Sequence, residues 1–298
     1  MFFQPTNRIA ICMSLAASMA AALALTAETM TLRPVADTRL SEQFPDSNAG
    51  AAADIVIGTQ GPTAGNPRNR GLIRFDLAGQ IPPLSEIKSA AMTLTVAKVP
   101  LGGADSIFEL RRVLQEWNEN EATWNSRFST NAPWSSPGGD SQTDFSSIVS
   151  ATQVISGLGG YTFDSTTNLL ADVQAWLDEP TANFGWIVLT QSEDAAKTAR
   201  RFASREGGAG APTLVVDFVP PPTISDASPQ DTNVTFHFTV VAGYDYTVEY
   251  ADAIPSTNWL VLTNFGAKVA AFEAGVTNSI LTIPSRFFRL SRVPCNCR

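Results

Sequence analysis

Four arginines on predicted strands are the residues of this sequence best suited to bind a ligand: Arg39, Arg74, Arg112 and Arg205. In the strand that contains Arg74, alternation places Leu72 and Asp76 on the same face as that arginine and the apolar residues on the other. A guanidinium binds a carboxylate through two parallel hydrogen bonds, which an ammonium cannot match. These arginines therefore predict a sheet surface that binds carboxylate groups, such as those of uronic acids.

A structural role is the alternative for two of these side chains. Arg74 can pair with Asp76 and Arg205 with Glu206, and such pairs would hold the fold together without binding a ligand. For Arg205 the sequence slightly favours this alternative. Among the six tryptophans, Trp134 is the one expected to be exposed, because its loop is polar and rich in Pro, Gly and Ser. Its ring is the candidate for stacking on the apolar face of a sugar.

The other reactive side chains do not form a recognisable catalytic set. Five carboxylates could supply the acid pair of a glycosidase, but nothing places two of them in distinct environments: Glu116, Glu119, Glu121, Asp140 and Asp144. The single histidine, His237, falls on the polar face of a predicted strand, and no Gly-x-Ser-x-Gly elbow occurs. We therefore expect no enzymatic activity and no cofactor, although loops rich in Ser, Asn and Asp leave a structural calcium ion open as an alternative.

The composition indicates a β-sheet protein that is exported. Hydrophobic residues make up 44% of the 298 positions and charged residues 16%, and 20 Gly and 19 Pro suit many short strands and turns. The net charge of −8 makes nucleic acid and anionic membranes poor partners. Arg8 precedes an apolar run that ends in small residues, which predicts a secretory signal peptide over residues 1–27 and no membrane span after its removal. The remaining cysteines, Cys295 and Cys297, could close a small ring, bridge to another chain or bind metal.

The elements that position the arginines are predicted to be short strands. Runs of four to eight alternating or apolar residues fill residues 28–218 and predict a jelly-roll-like β-sandwich. The exception is one amphipathic helix over residues 169–177, with Thr167 or Asn168 as its cap and Pro180 as its stop.

A second module is predicted after a proline linker. Residues 219–222 include three consecutive prolines, which cannot continue a sheet ladder and form a stiff spacer. Apolar alternation resumes beyond them, so residues 223–298 predict a small immunoglobulin- or fibronectin-like β-sandwich.

Several motifs of the first module resemble those of a known family. They include Ala36-Asp37-Thr38-Arg39-Leu40, Arg70-Gly71-Leu72-Ile73-Arg74-Phe75-Asp76-Leu77, Glu121-Ala122-Thr123-Trp124-Asn125 and Phe202-Ala203-Ser204-Arg205-Glu206. In this order and spacing, residues 31–218 resemble the DNRLRE domain, an extracellular β-sandwich family close to carbohydrate-binding modules that include alginate binders. Residues 223–293 are similar to a small C-terminal domain of secreted bacterial proteins, which usually serves for spacing or attachment.

These inferences predict a non-catalytic protein that is secreted or displayed at the cell surface and binds a polysaccharide, with an acidic one as the favoured ligand. A structural or adhesive protein that associates with copies of itself fits the low charge and apolar composition equally well. A polysaccharide-degrading enzyme is the third alternative.

Overall fold

The computed structural model describes residues 27–129, 132–279 and 285–295. The chain forms two compact units that divide between Pro221 and Pro222. The predicted signal peptide, except for Ala27, lies outside the described residues, as does Cys297. Among the described residues, no helix combines the length and the apolar character that a membrane crossing requires.

The first unit consists of thirteen strands, one α-helix and three short 3-10 helices within the described residues. The strands are β1 (Glu28–Leu32), β2 (Pro34–Ser41), β3 (Asp54–Ile57), β4 (Asn69–Phe75), β5 (Glu86–Lys98), β6 (Ser106–Val113), β7 (Ser126–Phe128), β8 (Ala132–Pro133), β9 (Phe145–Ile155), β10 (Gly159–Phe163), β11 (Trp186–Thr190), β12 (Arg200–Ala203) and β13 (Thr213–Val219). The helix α1 is Thr167–Asp178, and the 3-10 helices are Pro62–Ala64, Pro180–Ala182 and Gly208–Gly210.

Two antiparallel sheets form the sandwich of this unit. One has six strands in the order β1-β13-β5-β12-β3, with β10 also paired to β5, and the other has five in the order β2-β4-β11-β6-β9. From β2 to β6, consecutive strands alternate between the two sheets, as in a jelly roll. The prediction of an all-β sandwich with one helix is therefore confirmed.

The five-stranded sheet is buried on both faces along β4 and β11, whereas Ile107 on β6 and Val154 on β9 are exposed. Its inner face contributes Ile73, Phe75 and Trp186 to the main core between the sheets. Its outer face contributes Leu72 and Ile187 to a second core, where they pack against loop residues that include three buried tryptophans: Trp117, Trp124 and Trp134. Because both faces are covered, β4 has six buried residues out of seven.

The helix begins one residue earlier than the sequence suggested. Thr166 is its N-cap, and the Thr166 hydroxyl accepts a hydrogen bond from the backbone N–H of Leu169 at 3.0 Å. The helix ends at Asp178, before Pro180 as predicted. At the other boundary, Val219 is buried and pairs with Glu86, so β13 extends one residue into the segment predicted as a linker.

Residues 222–279 and 285–295 of the second unit form six strands in two three-stranded sheets. They are β14 (Ile224–Gln230), β15 (Asn233–Val240), β16 (Tyr244–Ala251), β17 (Leu260–Phe265), β18 (Phe272–Ser279) and β19 (Phe287–Pro294). One sheet has the order β14-β15-β18 and the other β17-β16-β19. Their inner faces share a small core of aromatic and aliphatic side chains, among them Phe236, Phe238 and Tyr246.

Candidate functional site

The four predicted arginines do not form one surface. Arg74 lies on the outer face of the five-stranded sheet, with its guanidinium carbon 5.7 Å from the centre of the Trp117 ring. Arg112 pairs with Trp186 in the ladder and lies 3.6 Å from a carboxylate oxygen of Asp172 on α1, which places it on the opposite face. Arg74 on β4 and Arg112 on β6 therefore lie on opposite faces of the same sheet, with β11 between their strands.

Arg205 is held in an ion-pair network. Its Nε lies 2.6 Å from Glu119 and 2.9 Å from Glu206, and its Nη2 donates a second hydrogen bond to Glu119 at 2.8 Å. Its backbone N–H donates to the Asp37 carboxylate at 2.7 Å. Burial, with the negative charges of Glu206 and Glu119, raises the pKa of Asp37 from 3.8 to about 7. The structural alternative for Arg205 is thus the one that the contacts support, with Glu119 as an additional partner.

Trp134 is buried, so the expectation that its ring is exposed is wrong. Only 5% of the residue is accessible, and its indole Nε1 donates a hydrogen bond to the carbonyl of Thr123 at 2.9 Å. Its loop is polar in composition, but the loop folds over the outer face of the sheet and needs an apolar side chain beneath it. Trp134 therefore supplies core packing and no stacking surface.

Three of the five carboxylates considered for glycoside hydrolysis form contacts that stabilise the fold. The Asp144 carboxylate accepts hydrogen bonds from the backbone N–H groups of Ser135 and Asp140 at 2.9 and 2.8 Å. Glu121 accepts from the backbone and hydroxyl of Ser129, which holds the pKa of Glu121 below its usual range. Glu119 pairs with Arg205. Within the described part of the first unit, no three His, Cys, Asp or Glu side chains lie close enough to share a metal ion.

A basic cavity lies on the outer face of the six-stranded sheet. Its volume is about 190 Å³, and its described lining contains cationic, amide and apolar groups but no carboxylate: Val56, Gln60, Gly61, Lys98, Val99, Pro100, Ala199, Arg200 and Arg201. The ladder explains why these groups meet, because Arg201 on β12 is directly opposite Lys98 on β5 and Val56 on β3. The strand neighbours Phe202 and Ile57 point into the core, and the register shift between β12 and β5 turns Lys98 away from the core face of Val96, so Arg201 and Lys98 are exposed.

The charged groups of this cavity differ in their exposure and in whether they have hydrogen-bond or ion-pair partners. Arg200 is 1% exposed and donates to the backbone carbonyls of Ser156, Thr198 and Ala104, so it supports the fold. Arg201 is exposed and lies 3.1 Å from Asp54. The exposed ammonium groups of Lys98 and of Lys197 have no ion-pair partner among the described residues.

Two further cations act on or approach residues that line the cavity. The Lys197 stem lies against Gly61, since a Cβ at that glycine would be 3.5 Å from the lysine Cγ. Arg39 is half-buried on β2, and Asp54 and Arg201 are the charged groups that act on it. Burial lowers the pKa of Arg39 below its usual range, and its buried Nε has no hydrogen-bond partner within the described structure. Arg39 is thus linked electrostatically to Arg201, which lines the cavity, although Arg39 is not itself a lining residue.

A second cavity is polar without being basic. It has a volume of about 310 Å³ and is lined by Asp46, Asn48, Asn120, Glu121, Thr123, Ser126, Phe128 and Ser129. Many of its polar groups already bond to each other or to the backbone. The Asn48 side chain donates to the carbonyls of Glu119 and Ala122, and Asn125 donates to Asp46.

Sequence reasoning missed Lys98, Lys197 and the role of Arg201. Alternation along β12 does place Arg201 on a polar face, but along β5 it places Lys98 on the same face as the buried Val96, and only the register shift between β12 and β5 turns Lys98 outward. The pairing of β5 with β12 also joins residues about one hundred positions apart. Only the ladder brings them together. Lys197 lies in a turn at φ 62°, where no periodicity applies.

No curated protein is significantly similar to the chain. Residues 28–155 match the model of carbohydrate-binding module family 96. This range includes Gln60 and Lys98, whereas Lys197 and Arg201 lie beyond it. The match supports carbohydrate binding by the first unit and a β-sandwich typical of proteins that act outside the cell.

Proposed function

We propose that the first unit binds an acidic polysaccharide without chemical turnover, in the basic cavity of the six-stranded sheet. The family match supports carbohydrate as the ligand class. The observation that carries the acidic preference is the row formed by Arg201 and Lys98, extended by Lys197, in a chain whose net charge is −8. Exported or cell-surface location is part of this proposal.

The expected affinity depends on whether the cationic groups near the cavity already have an ion-pair partner in the free protein. Exposed ion pairs contribute at most about 1 kcal/mol each, whereas partly desolvated charged hydrogen bonds contribute about 1.5–3 kcal/mol. A uronate carboxylate that reaches the cavity would meet two ammonium groups and the guanidinium of Arg201. It would displace the exposed Asp54–Arg201 pair at little cost, because that pair is already weak in water.

The shape of the cavity suits one sugar ring of a longer chain. Its volume of about 190 Å³ is below the range of about 300–1,000 Å³ typical of pockets for whole small molecules. Val99 and Pro100 provide an apolar wall for the carbon face of the ring. The rest of the polysaccharide would continue over the neighbouring strands.

The proposal of a non-catalytic role rests on how the acids are used. Asp37 has the raised pKa expected of a general acid, but it is 1% exposed and bonded to the backbone of Arg205. The neighbouring Glu119 is also engaged, because Arg205 donates hydrogen bonds to both of its carboxylate oxygens. A glycosidase needs both acids in contact with the scissile bond.

The test is binding to soluble alginate and to a neutral glucan, measured by calorimetry at two salt concentrations. We expect alginate to bind more tightly than the glucan, and salt to weaken its binding. Lys98→Gln and Lys197→Gln should each weaken alginate binding about threefold to tenfold, and the double variant by more than about tenfold. Lys88→Gln is the matched control, because it lies on the same strand roughly 33 Å away.

Two results would contradict the proposal. One is alginate affinity that the double variant leaves unchanged. The other is binding of the neutral glucan alone, which would favour the polar cavity. In that case Asn120→Ala should abolish binding where Lys98→Gln does not. Release of reducing ends from either polymer would contradict the non-catalytic role.

A further inference from the structure

Three metal-ligating side chains converge in the second unit. They are Asp226, His237 and Glu273, and one ligand atom of each lies within 4.8 Å of the other two. Asp226 and Glu273 are exposed, and His237 is half-buried. Among the described residues, this is the one group of three or more His, Cys, Asp or Glu side chains with that geometry.

Three neighbouring strands bring these residues together. On the central strand β15, Phe236 and Phe238 point into the core, so His237 between them points outward. On β18, Glu273 is opposite Thr239, two residues along β15 from His237. Residues two apart on one strand share a face, so the carboxylate of Glu273 is a diagonal neighbour of the imidazole.

Gly275 gives the imidazole its place on the sheet. This glycine is directly opposite His237, and a Cβ built on it would lie 3.2 Å from Cδ2 and 3.3 Å from Nε2 of the ring. The ring therefore rests over the glycine backbone, where a larger residue would crowd it. This position directs Nε2 along the sheet surface, toward the strand that carries Glu273.

A bulge supplies the third ligand. The register of β14 against β15 shifts between Ser225, which is opposite His237, and Ser228. Asp226 lies in this bulge with φ at 50°, a conformation that aspartate tolerates better than most residues. Bulges reorient side chains relative to the regular ladder, and here the extra residue carries a carboxylate next to the histidine.

We propose that Asp226, His237 and Glu273 bind a divalent first-row transition-metal ion, with zinc as the reference ion. One imidazole and two carboxylates suit such ions, whereas calcium takes oxygen ligands only. In a tetrahedral zinc site with bonds of about 2.0–2.1 Å, ligand atoms are about 3.4 Å apart, and small rotations of the two exposed carboxylate side chains would reach this spacing. Three protein ligands would leave a position for water or for a group from another molecule.

The experiment uses the full mature chain without a histidine tag, because His237 is its only histidine. Zinc sulfate is titrated by calorimetry in the absence of reductant, since Cys295 is disulfide-bonded and should remain so. The Cε1 proton of the single histidine is followed in parallel by NMR. We expect one zinc ion per chain and a shifted histidine resonance at saturation.

Variants at exposed positions test the assignment without disturbing the core. His237→Gln, Asp226→Asn and Glu273→Gln should each weaken zinc binding at least about tenfold. Asp231→Asn is the matched control, because it removes one exposed carboxylate from the same hairpin and leaves the three ligands intact. Far-ultraviolet circular dichroism confirms that each variant is folded.

Three outcomes would overturn the proposal. They are no stoichiometric binding by the wild-type chain at 100-fold molar excess, equal affinity in His237→Gln, and displacement of zinc by equimolar calcium. The inference is independent of carbohydrate binding, because these residues belong to the second unit.

Discussion

Replacing Asp37 by asparagine should change how the stability of the first unit depends on pH. The carboxyl is 1% exposed, and its pKa is raised to about 7, mainly by burial. In the unfolded chain the pKa returns to about 3.8, so the folded state binds this proton more tightly. The resulting stabilisation is complete below the unfolded pKa and is lost as the pH rises through about 7.

The expected size of this effect is large enough to measure. A pKa raised from 3.8 to about 7 corresponds to an order of magnitude of about 4 kcal/mol over the full range. Roughly 3 kcal/mol of this falls between pH 8 and pH 5. Asparagine keeps an oxygen that can accept the hydrogen bond from the Arg205 backbone, and it carries no charge at either pH.

The assay is urea unfolding followed by tryptophan fluorescence. It reports mainly on the first unit, because Trp259 is the one tryptophan of the sequence outside it. Relative to the wild-type protein, Asp37→Asn should have similar stability at pH 5 and be more stable by roughly 2–3 kcal/mol at pH 8. Exposed Asp164→Asn controls for the loss of one charge.

Comparison with the wild type is essential, because other acids act in the opposite direction. Contacts with Arg68 and with Thr29 lower the pKa values of Glu42 and Asp217, so those groups lose stabilisation as the pH falls. A difference in unfolding free energy between Asp37→Asn and wild type that stays constant from pH 5 to pH 8 would refute the reasoning. So would a variant that is less stable at pH 8 than at pH 5, relative to wild type.

Three other substitutions test the structural assignments. Arg205→Ala should lower the melting temperature, because it leaves the half-buried Glu119 carboxylate without its guanidinium partner. Alginate affinity should not change, and a folded variant that has lost affinity would contradict this. Trp134→Ala should cost about 3–5 kcal/mol in urea unfolding, as for other buried aromatics, and a neutral effect would mean that the ring is exposed. Gly185→Ala should cost at least about 1–3 kcal/mol, because its φ is 73° and an added Cβ would lie 2.1 Å from the carbonyl oxygen of Ile73; unchanged thermal stability would exclude that contact.

The sequence was informative where a property is local. Alternation in β4 correctly separated Leu72 and Arg74 from Ile73 and Phe75, and the helical pattern before Pro180 located α1 to within a residue or two. Local composition failed at Trp134, because a polar loop can still pack an indole against a sheet. The outer face of the five-stranded sheet is covered by such loops, and no strand pattern reveals that cover.

The candidate sites are formed by pairing between strands that are far apart along the chain. The amino-acid pattern of each strand does not indicate which other strand it pairs with. The row of Arg201 and Lys98 exists only because β12 inserts between β5 and β3. In the same way, His237 reads as an ordinary exposed strand residue until β14 and β18 flank its strand. Asp226 on β14 and Glu273 on β18 then complete the group of three metal-ligating side chains. Secretion, the DNRLRE assignment and bound calcium remain predictions.

The burial of β4 and β11 on both faces limits which positions of this domain tolerate substitution. A strand packed on both faces tolerates few substitutions, so β4 and β11 are fixed by stability whichever molecule the domain meets. The outward positions of the six-stranded sheet carry no such constraint, and exchanging Lys98 or Val56 there alters the surface without opening a cavity in the core. Substitutions that change ligand preference are therefore expected at outward positions of the six-stranded sheet, whereas substitutions in β4 and β11 would mainly change stability.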